Sequence, residues 1–343
     1  MVHRATIKDI AKKIGISPST VSRALKNHPD ISEKTKKAVI ELAEKLKYRP
    51  NQLALNLRKN QNNTIGVIIP QIVHYFFSSI ISGIEDYTSK KGYNVILTQS
   101  NEKFQKEIDN TNTLINTGVA GILISRTKET TSFEHFKKLL NYDIPVVFFD
   151  RICPTLKTDK VIVNDEYAAF IGVEHLIKSG CKKIIHFKGP ENLSISIKRQ
   201  TGYLEALREY KLKRNNDFII RCDSYEDAKI ETQKLIDKKI DFDGIFTVND
   251  DTAAGAIEAL VKNGVKIPSE VSIMGYSNDL ISQITNPKLS TVEQSGYEMG
   301  YTSAKLLIER IESEKTIRPR TEVVSVKLVL RESTKPINIP SEN

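Results

Sequence analysis

The stretch Ile16-Ser17-Pro18-Ser19-Thr20-Val21-Ser22-Arg23-Ala24-Leu25-Lys26-Asn27, ISPSTVSRALKN over 16–27, begins a helix with care and leaves it a slim polar face. Ser17 is a natural N-cap, and Pro18 fits the first helical position, where its missing N–H costs nothing. At 3.6 residues per turn Val21 and Leu25 fall on one side, while Pro18, Ser19, Ser22, Arg23 and Lys26 fall on the other. Upstream, Thr6-Ile7-Lys8-Asp9 reads as a capping box, and Ile7, Ile10, Ala11 and Ile14 follow at helical spacing, so a first helix runs to about Lys13 or Ile14. Gly15-Ile16-Ser17 then makes a tight turn into the quoted helix. Two short helices joined by a three-residue turn containing Gly form a helix-turn-helix. A third helix from about Ser32, with Val39, Leu42, Ala43 and Leu46 inward, completes a small all-α head over 1–47. A narrow face ending in long cations suits the major groove of DNA.

Charge places the same function in the same segment. Residues 1–60 hold 14 lysines and arginines against five acids, whereas the remaining residues hold 37 of each, so all of the +9 net charge lies in the head and what directly follows it. That is the footprint of a nucleic-acid-binding module joined to an ordinary globular body. Cys153, Cys181 and Cys222 are odd in number and widely spaced, which indicates neither a disulfide framework nor a zinc site and fits a reducing cytoplasm. No apolar run approaches the ~18 residues of a membrane span, and the N-terminus has no apolar signal region. A cytoplasmic protein is expected.

Beyond the head, residues 48–63 read as a hinge and linker. NQLALNLR (51–58) is helix-prone but too short to be stable alone, and NQNN (60–63) reads as a linker. From Thr64 apolar runs alternate with helical stretches, the pattern of buried parallel strands with crossover helices. One series is TIGVIIP (64–70), YNVILTQ (93–99), GILIS (121–125) and PVVFFD (145–150); a second is KVIVN (160–164), KKIIHF (182–187), GIFTVN (244–249) and VSIMGYS (271–277). The tail adds LSTVEQ, a helix from Gly296 to about Glu312, and EVVSVKLVL. The fold class expected is an all-α helix-turn-helix head plus an α/β body of two doubly wound parallel-sheet lobes over 64–334. The lobes are drawn as about 64–159 with 290–320 and about 160–289 with 321–334, followed by a tail over 335–343. Ligands of such sheets sit beyond the carboxyl ends of the strands, in the cleft.

Several stretches in one order carry a likeness: TIKDIAKKIGISPSTVSRAL, YRPNQLALNLR, TIGVIIP, FFSSIISGIE, IPVVFFDR, VNDD (248–251), GVKIPSEVSIMGYSN, LSTVEQ and the terminal LRES. The chain resembles the lactose repressor and galactose repressor (LacI/GalR) family of bacterial transcription regulators, over nearly its whole length. The resemblance implies a homodimer whose heads read a pseudo-palindromic operator, a hinge helix that folds on DNA, and two lobes, like periplasmic sugar-binding proteins, that close on a small effector. No cofactor or metal is expected. The DNA-facing set it implies is Thr6, Ser17, Pro18, Ser19, Thr20, Ser22, Arg23, Asn27, Tyr48, Asn51, Ala54 and Leu57. Arg23 is the recognition-helix side chain able to fork onto guanine. Leu57 takes the place of the family's minor-groove wedge, with Ala54 allowing close approach.

The effector set is Phe76, Phe77, Asp150, Arg199, Asn249, Ser277 and Asn278. Arg199 matches the family position whose guanidinium forks onto hydroxyls or carboxylates. Phe76 and Phe77 supply an aromatic face or belong to the core, and Asp150 and Asn249 end strands. Asp250 is an alternative cap for the helix that follows. Many family members carry an aspartate where this chain has Ser277, so the hydroxyl clamp of that position is missing. An enzyme is disfavoured: no phosphate-loop, dinucleotide, nucleophile-elbow or zinc-protease motif occurs, and the six histidines form no metal-spaced pair. A sugar-binding protein without a DNA role conflicts with the basic head. A global regulator controlled by a partner protein, as in the catabolite-control branch, is the remaining alternative.

Overall fold

The computed structural model describes residues 5–48 and 62–337. The chain divides into two units, residues 1–62 and 63–343. The expected roles of Asn51, Ala54 and Leu57 fall outside the described residues.

The first unit holds α1 (Ile7–Ile14), α2 (Pro18–Leu25) and α3 (Glu33–Lys45). Thr6 caps α1 in a complete capping box with Asp9, and Gly15 ends it at φ +77°, a left-handed turn that a side chain would oppose. Ser17 caps α2, its Oγ accepting from the Thr20 N–H at 3.1 Å. Ile10, Ala11, Val21, Ala24, Val39 and Ala43 close the core, with Leu25 and Tyr48 packed at its margin.

The second unit runs β1 (Thr64–Ile69), α4 (Tyr75–Lys90), β2 (Asn94–Gln99), α5 (Phe104–Thr117), β3 (Gly121–Ile124), α6 (Glu134–Asn141), β4 (Val146–Phe149) and β5 (Asp159–Val163). There follow α7 (Asp165–Lys178), β6 (Ile184–Lys188), α8 (Ser194–Glu209), β7 (Ile219–Arg221), α9 (Tyr225–Asp237), β8 (Gly244–Thr247), α10 (Asp250–Lys262) and β9 (Ser272–Ser277). The chain closes with α11 (Ile281–Ile284), β10 (Ser290–Glu293), α12 (Gly296–Glu312), β11 (Thr321–Val324) and β12 (Lys327–Val329). Two six-stranded sheets result, in the orders β11-β5-β4-β3-β1-β2 and β12-β10-β9-β8-β6-β7. Every pairing is parallel except the edge pair of β10 with β12. The apolar runs are buried because helices cover both faces: α4 and α12 on one face of the first sheet, α5 and α6 on the other, α7 and α8 against α9 and α10 around the second. Where α4 crosses α12 the backbones meet at Gly83 and Gly300. A Cβ on Gly83 would stand 2.1 Å from the Tyr297 carbonyl oxygen.

The lobe boundaries differ from those read in the sequence. KVIVN was placed in the second series, yet β5 pairs with β4 and β11 in the first sheet. The reason is Asp159: fully buried, it accepts from Arg310 Nε at 2.9 Å and Nη2 at 2.8 Å, and from the Arg320 N–H at 2.7 Å, which ties β5 to α12 and to the start of β11. LSTVEQ was placed with the first lobe, yet β10 pairs with β9 in the second, where the Thr291 hydroxyl donates to buried Asp250 at 2.6 Å. EVVSVKLVL, assigned whole to the second lobe, splits into β11 in the first and β12 in the second. The chain therefore passes between lobes three times, after β5, after β10 and after β11.

Candidate functional site: a charged cleft and a polar recognition helix

In the head, Thr6, Ser17, Pro18, Ser19, Arg23 and Asn27 are exposed, and Thr20, Ser22 and Tyr48 are half-buried. The Arg23 guanidinium makes no hydrogen bond or ion pair among the described residues, so it stands free for an external acceptor. Thr20 is partly committed: its hydroxyl and that of Ser19 lie 2.8 and 2.7 Å from Ser17 Oγ, in one cap cluster. Burial raises the Tyr48 hydroxyl pKa, consistent with its ring packing on the head core.

Between the lobes lies a cavity of about 380 Å³, walled by loops that leave the carboxyl ends of β1, β2, β3 and β4 on one side and β6, β7, β8, β9 and β10 on the other. Phe76 and Phe77, at the start of α4, both line it and both belong to the first lobe's core, so the two readings of that pair hold together. Their rings meet edge to face, centroids 5.5 Å apart. Asp150 follows β4 in a left-handed conformation, φ +54°. Burial pushes its carboxyl up to about 6 against the pull of Arg151 and Arg199.

Arg199 reaches the cavity from α8 but is already engaged by the protein. Its Nε donates to Asp165 at 2.8 Å, its Nη1 donates to the Val248 carbonyl at 2.7 Å, and its guanidinium carbon lies 3.7 Å from the centroid of the Tyr276 ring. Asp165, 2% exposed, also accepts from the Tyr276 hydroxyl at 3.0 Å. The guanidinium expected to fork onto a ligand is thus held in a buried ionic knot at the cavity wall.

Asn249 lines the cavity while capping α10, accepting from the Thr252 N–H at 2.8 Å. The cap is therefore Asn249, and Asp250 sits inside the first turn, its carboxyl pushed up to about 7 by burial. Ser277 and Asn278 have φ of +116° and +57°, a strained turn for residues with side chains. That turn keeps Ser277 and Asp279 on the cavity wall and swings Asn278 away. Asn278, expected in the effector site, accepts from Arg331 Nη2 at 2.6 Å, donates to Glu293 at 3.2 Å and is not among the residues lining this cavity.

Several wall residues were not singled out in the sequence. Arg151 Nη1 donates to Glu102 at 2.7 Å. Two ion pairs bridge the lobes directly: Lys128 Nζ to Asp223 at 3.0 Å, and His74 Nδ1 to Asp251 at 3.1 Å. The hydrogen bond to Asp251 raises the His74 pKa. Arg126 Nη2 donates to the Asn192 carbonyl, and the Asn192 amide donates to the Lys128 carbonyl, both at 2.5 Å, closing the rim. All follow strand ends, the signal that would have found them. Four buried polar atoms on this wall find no partner among the described residues: Arg151 Nε, Ser196 Oγ, Asp279 Oδ1 and Gln294 Nε2. Buried donors and acceptors left unpaired in the residues around one cavity suit a polar ligand.

Residues 62–332 match the description "Periplasmic binding proteins and sugar binding domain of LacI family", and residues 6–51 match "Bacterial regulatory proteins, lacI family". The chain belongs to the LacI family. It is a DNA-binding transcriptional regulator with a helix-turn-helix head and a two-lobed effector-binding body. It is 32% identical to the NTD biosynthesis operon regulator NtdR of Bacillus subtilis, covering 96% of this chain and 99% of that one. It is equally 32% identical to the ribose operon repressor of Halalkalibacterium halodurans, covering 96% and 97%. A solved LacI family regulator from Enterococcus faecium with bound ribose matches 80% of this chain and all of its own, at 29% identity and a TM-score of 0.70. Among the described residues no group of His, Cys, Asp and Glu is arranged to hold a metal, and no helix is long and apolar enough to cross a membrane.

Proposed function

We propose that this LacI family member is a cytoplasmic, non-enzymatic repressor that acts as a homodimer, with operator affinity set by a carbohydrate or carbohydrate derivative in the cleft. The observation that carries the reading is the cavity of about 380 Å³ at the strand ends, with an aromatic wall at Phe76 and Phe77 and buried polar atoms without a partner in its wall residues. The ribose named for two of the relatives supports the chemical class. Asp150, Arg199, Asn249 and Ser277 are the predicted contacts retained, joined by Glu102, Ser196 and Gln294. On the head, Arg23 reads a base and its polar neighbours position the helix on phosphates.

Closing the lobes on ligand gives the cleft two arrangements, and coupling between cleft and operator is reciprocal: the factor by which effector changes operator affinity is the factor by which operator changes effector affinity. The test is selection of bound sequences from random DNA, then calorimetry of carbohydrates with and without the selected operator. Equal carbohydrate affinity in both conditions would refute an effector role. Sedimentation showing a monomer on the operator would refute the homodimer.

A further inference from the structure

The ionic groups of the cleft do not balance. Each basic group on the wall has a carboxylate of its own: Arg151 has Glu102 at 2.7 Å, Lys128 has Asp223 at 3.0 Å, the His74 imidazole has Asp251 at 3.1 Å and Arg199 has Asp165 at 2.8 Å. Two carboxylates are left over: Asp150, which shares Arg151 at 3.8 Å, and Asp279, which shares none. Asp279 lines the cavity, is 7% exposed, and makes no ion pair within 4 Å among the described residues. Its Oδ1 finds no donor there. Its backbone is pinned, because the Asp279 N–H donates to Asp250 Oδ2 at 2.7 Å.

We propose that the effector is a polyhydroxylated molecule carrying a primary amine, an amino sugar by class, whose ammonium is received by Asp279. This rests on the carbohydrate reading above and narrows it. A buried carboxylate oxygen without a donor costs free energy that a ligand hydroxyl relieves by one hydrogen bond, but a hydroxyl leaves the charge uncompensated. An ammonium supplies three donors and the opposite charge together. A phosphorylated or acidic sugar fits worse, since the four basic groups of the wall are engaged and Asp279 would repel it. The groups facing Asp279 are His74 before α4, Asp250 and Asp251 on α10, and the Phe76 N–H at the head of α4. Together they leave its carboxyl, pushed up to about 6 by burial, mostly ionised at neutral pH. The unpartnered Ser196 Oγ and Gln294 Nε2 remain for the ligand's hydroxyls.

The experiment is calorimetry of the full chain at pH 7.5 against matched triplets: an amino sugar such as D-glucosamine, D-galactosamine or an amino pentose, its neutral parent, and its N-acetyl derivative. Purine nucleobases serve as a non-carbohydrate set. In at least one triplet the amine is expected to bind tenfold or more tighter than both companions. Asp279→Asn should remove that preference while the parent sugar still binds, and Asp279→Glu should keep it. Circular dichroism establishes that each variant is folded, with Asp279→Ser as the substitute if the amide variant is not. Parents binding as tightly as amines would overturn the amine and leave the carbohydrate reading standing. Nucleobases binding in place of every sugar would overturn both, as would no binding by any member. An undiminished preference in Asp279→Asn would overturn the assignment to Asp279.

Discussion

Replacing Arg199 by Ala removes two hydrogen bonds and a ring contact at once, and leaves Asp165 buried with the Tyr276 hydroxyl as its remaining side-chain donor. Breaking a buried ion pair by removing one partner costs about 3–5 kcal/mol, mostly because the surviving charge is uncompensated. A domain is stable by about 5–15 kcal/mol, so the variant should fold but lose a large share of its margin. At roughly 3 °C per kcal/mol, its melting temperature should fall by roughly 10 °C. Removing the stranded charge as well, in Arg199→Ala with Asp165→Asn, should recover part of that loss. A double-mutant cycle should give a coupling of about 1 kcal/mol or more. The assays are urea denaturation followed by circular dichroism, and fluorescence anisotropy of a labelled selected operator with and without effector. The variant should have lost its effector response as well as its stability. An Arg199→Ala chain that unfolds at the wild-type midpoint would refute the structural duty. One that responds normally to effector would remove Arg199 from the cleft site.

Arg23→Ala should relax preference at one symmetric pair of operator positions and cost about 1–3 kcal/mol per half-site; uniform weakening on every sequence would make Arg23 a phosphate anchor instead. Operator affinity should fall steeply with salt, log K changing by about −0.9 per phosphate neutralised for each unit of log salt, and a flat salt response would contradict the basic head as the source of affinity. Melting temperature should rise as pH falls from 8 to 6.5, because Asp250 and His74, both raised, bind protons in the folded chain before the unfolded chain does. The His74 contribution is full below its unfolded pKa and lost as pH climbs through the raised folded one. Buried His186, lowered to about 4 by desolvation, and His175, also lowered by burial, act in the opposite sense as the unfolded imidazoles begin to protonate, from about pH 7.5 downward, and should flatten the rise; a midpoint that drops between pH 8 and 6.5 would contradict this balance. Gly83→Ala must push α4 from α12, at a cost of about 1–3 kcal/mol seen in urea denaturation.

The head was legible almost residue by residue, because caps and helical spacing are local signals: Thr6 with Asp9, Gly15 and Ser17 act as their positions demand. The strands of the body were legible as apolar runs, but their lobe was not. Nothing in KVIVN announces that Asp159 will be held by Arg310, some 150 positions away, and that long-range pair decides the sheet. EVVSVKLVL shows no break, since a chain passing between lobes keeps its extended conformation. Edge strand β7 is short and half-exposed and carries too little apolar pattern to stand out. In the cleft, the strand-end rule reached Asp150 and Asn249 and would have reached Glu102, Arg151 and Asp223. Which way a side chain points after a strained turn was beyond it, and so Asn278 was named where Asp279 lines the wall.

Three separate strands of chain join the lobes, and this restricts how they move. A single tether leaves a rigid body free to swing, twist and slide. Three tethers restrict twist and slide more than one does and favour rotation about the line through them, as a door is limited by its hinges. The β5–α7 connection, the β10–α12 connection and the β11–β12 connection therefore make opening and closing nearly one coordinate. A ligand that shifts the cleft by a small angle must displace every point of a lobe in proportion to its distance from that line. The largest travel belongs to surfaces far from the axis, including ones that never touch the ligand.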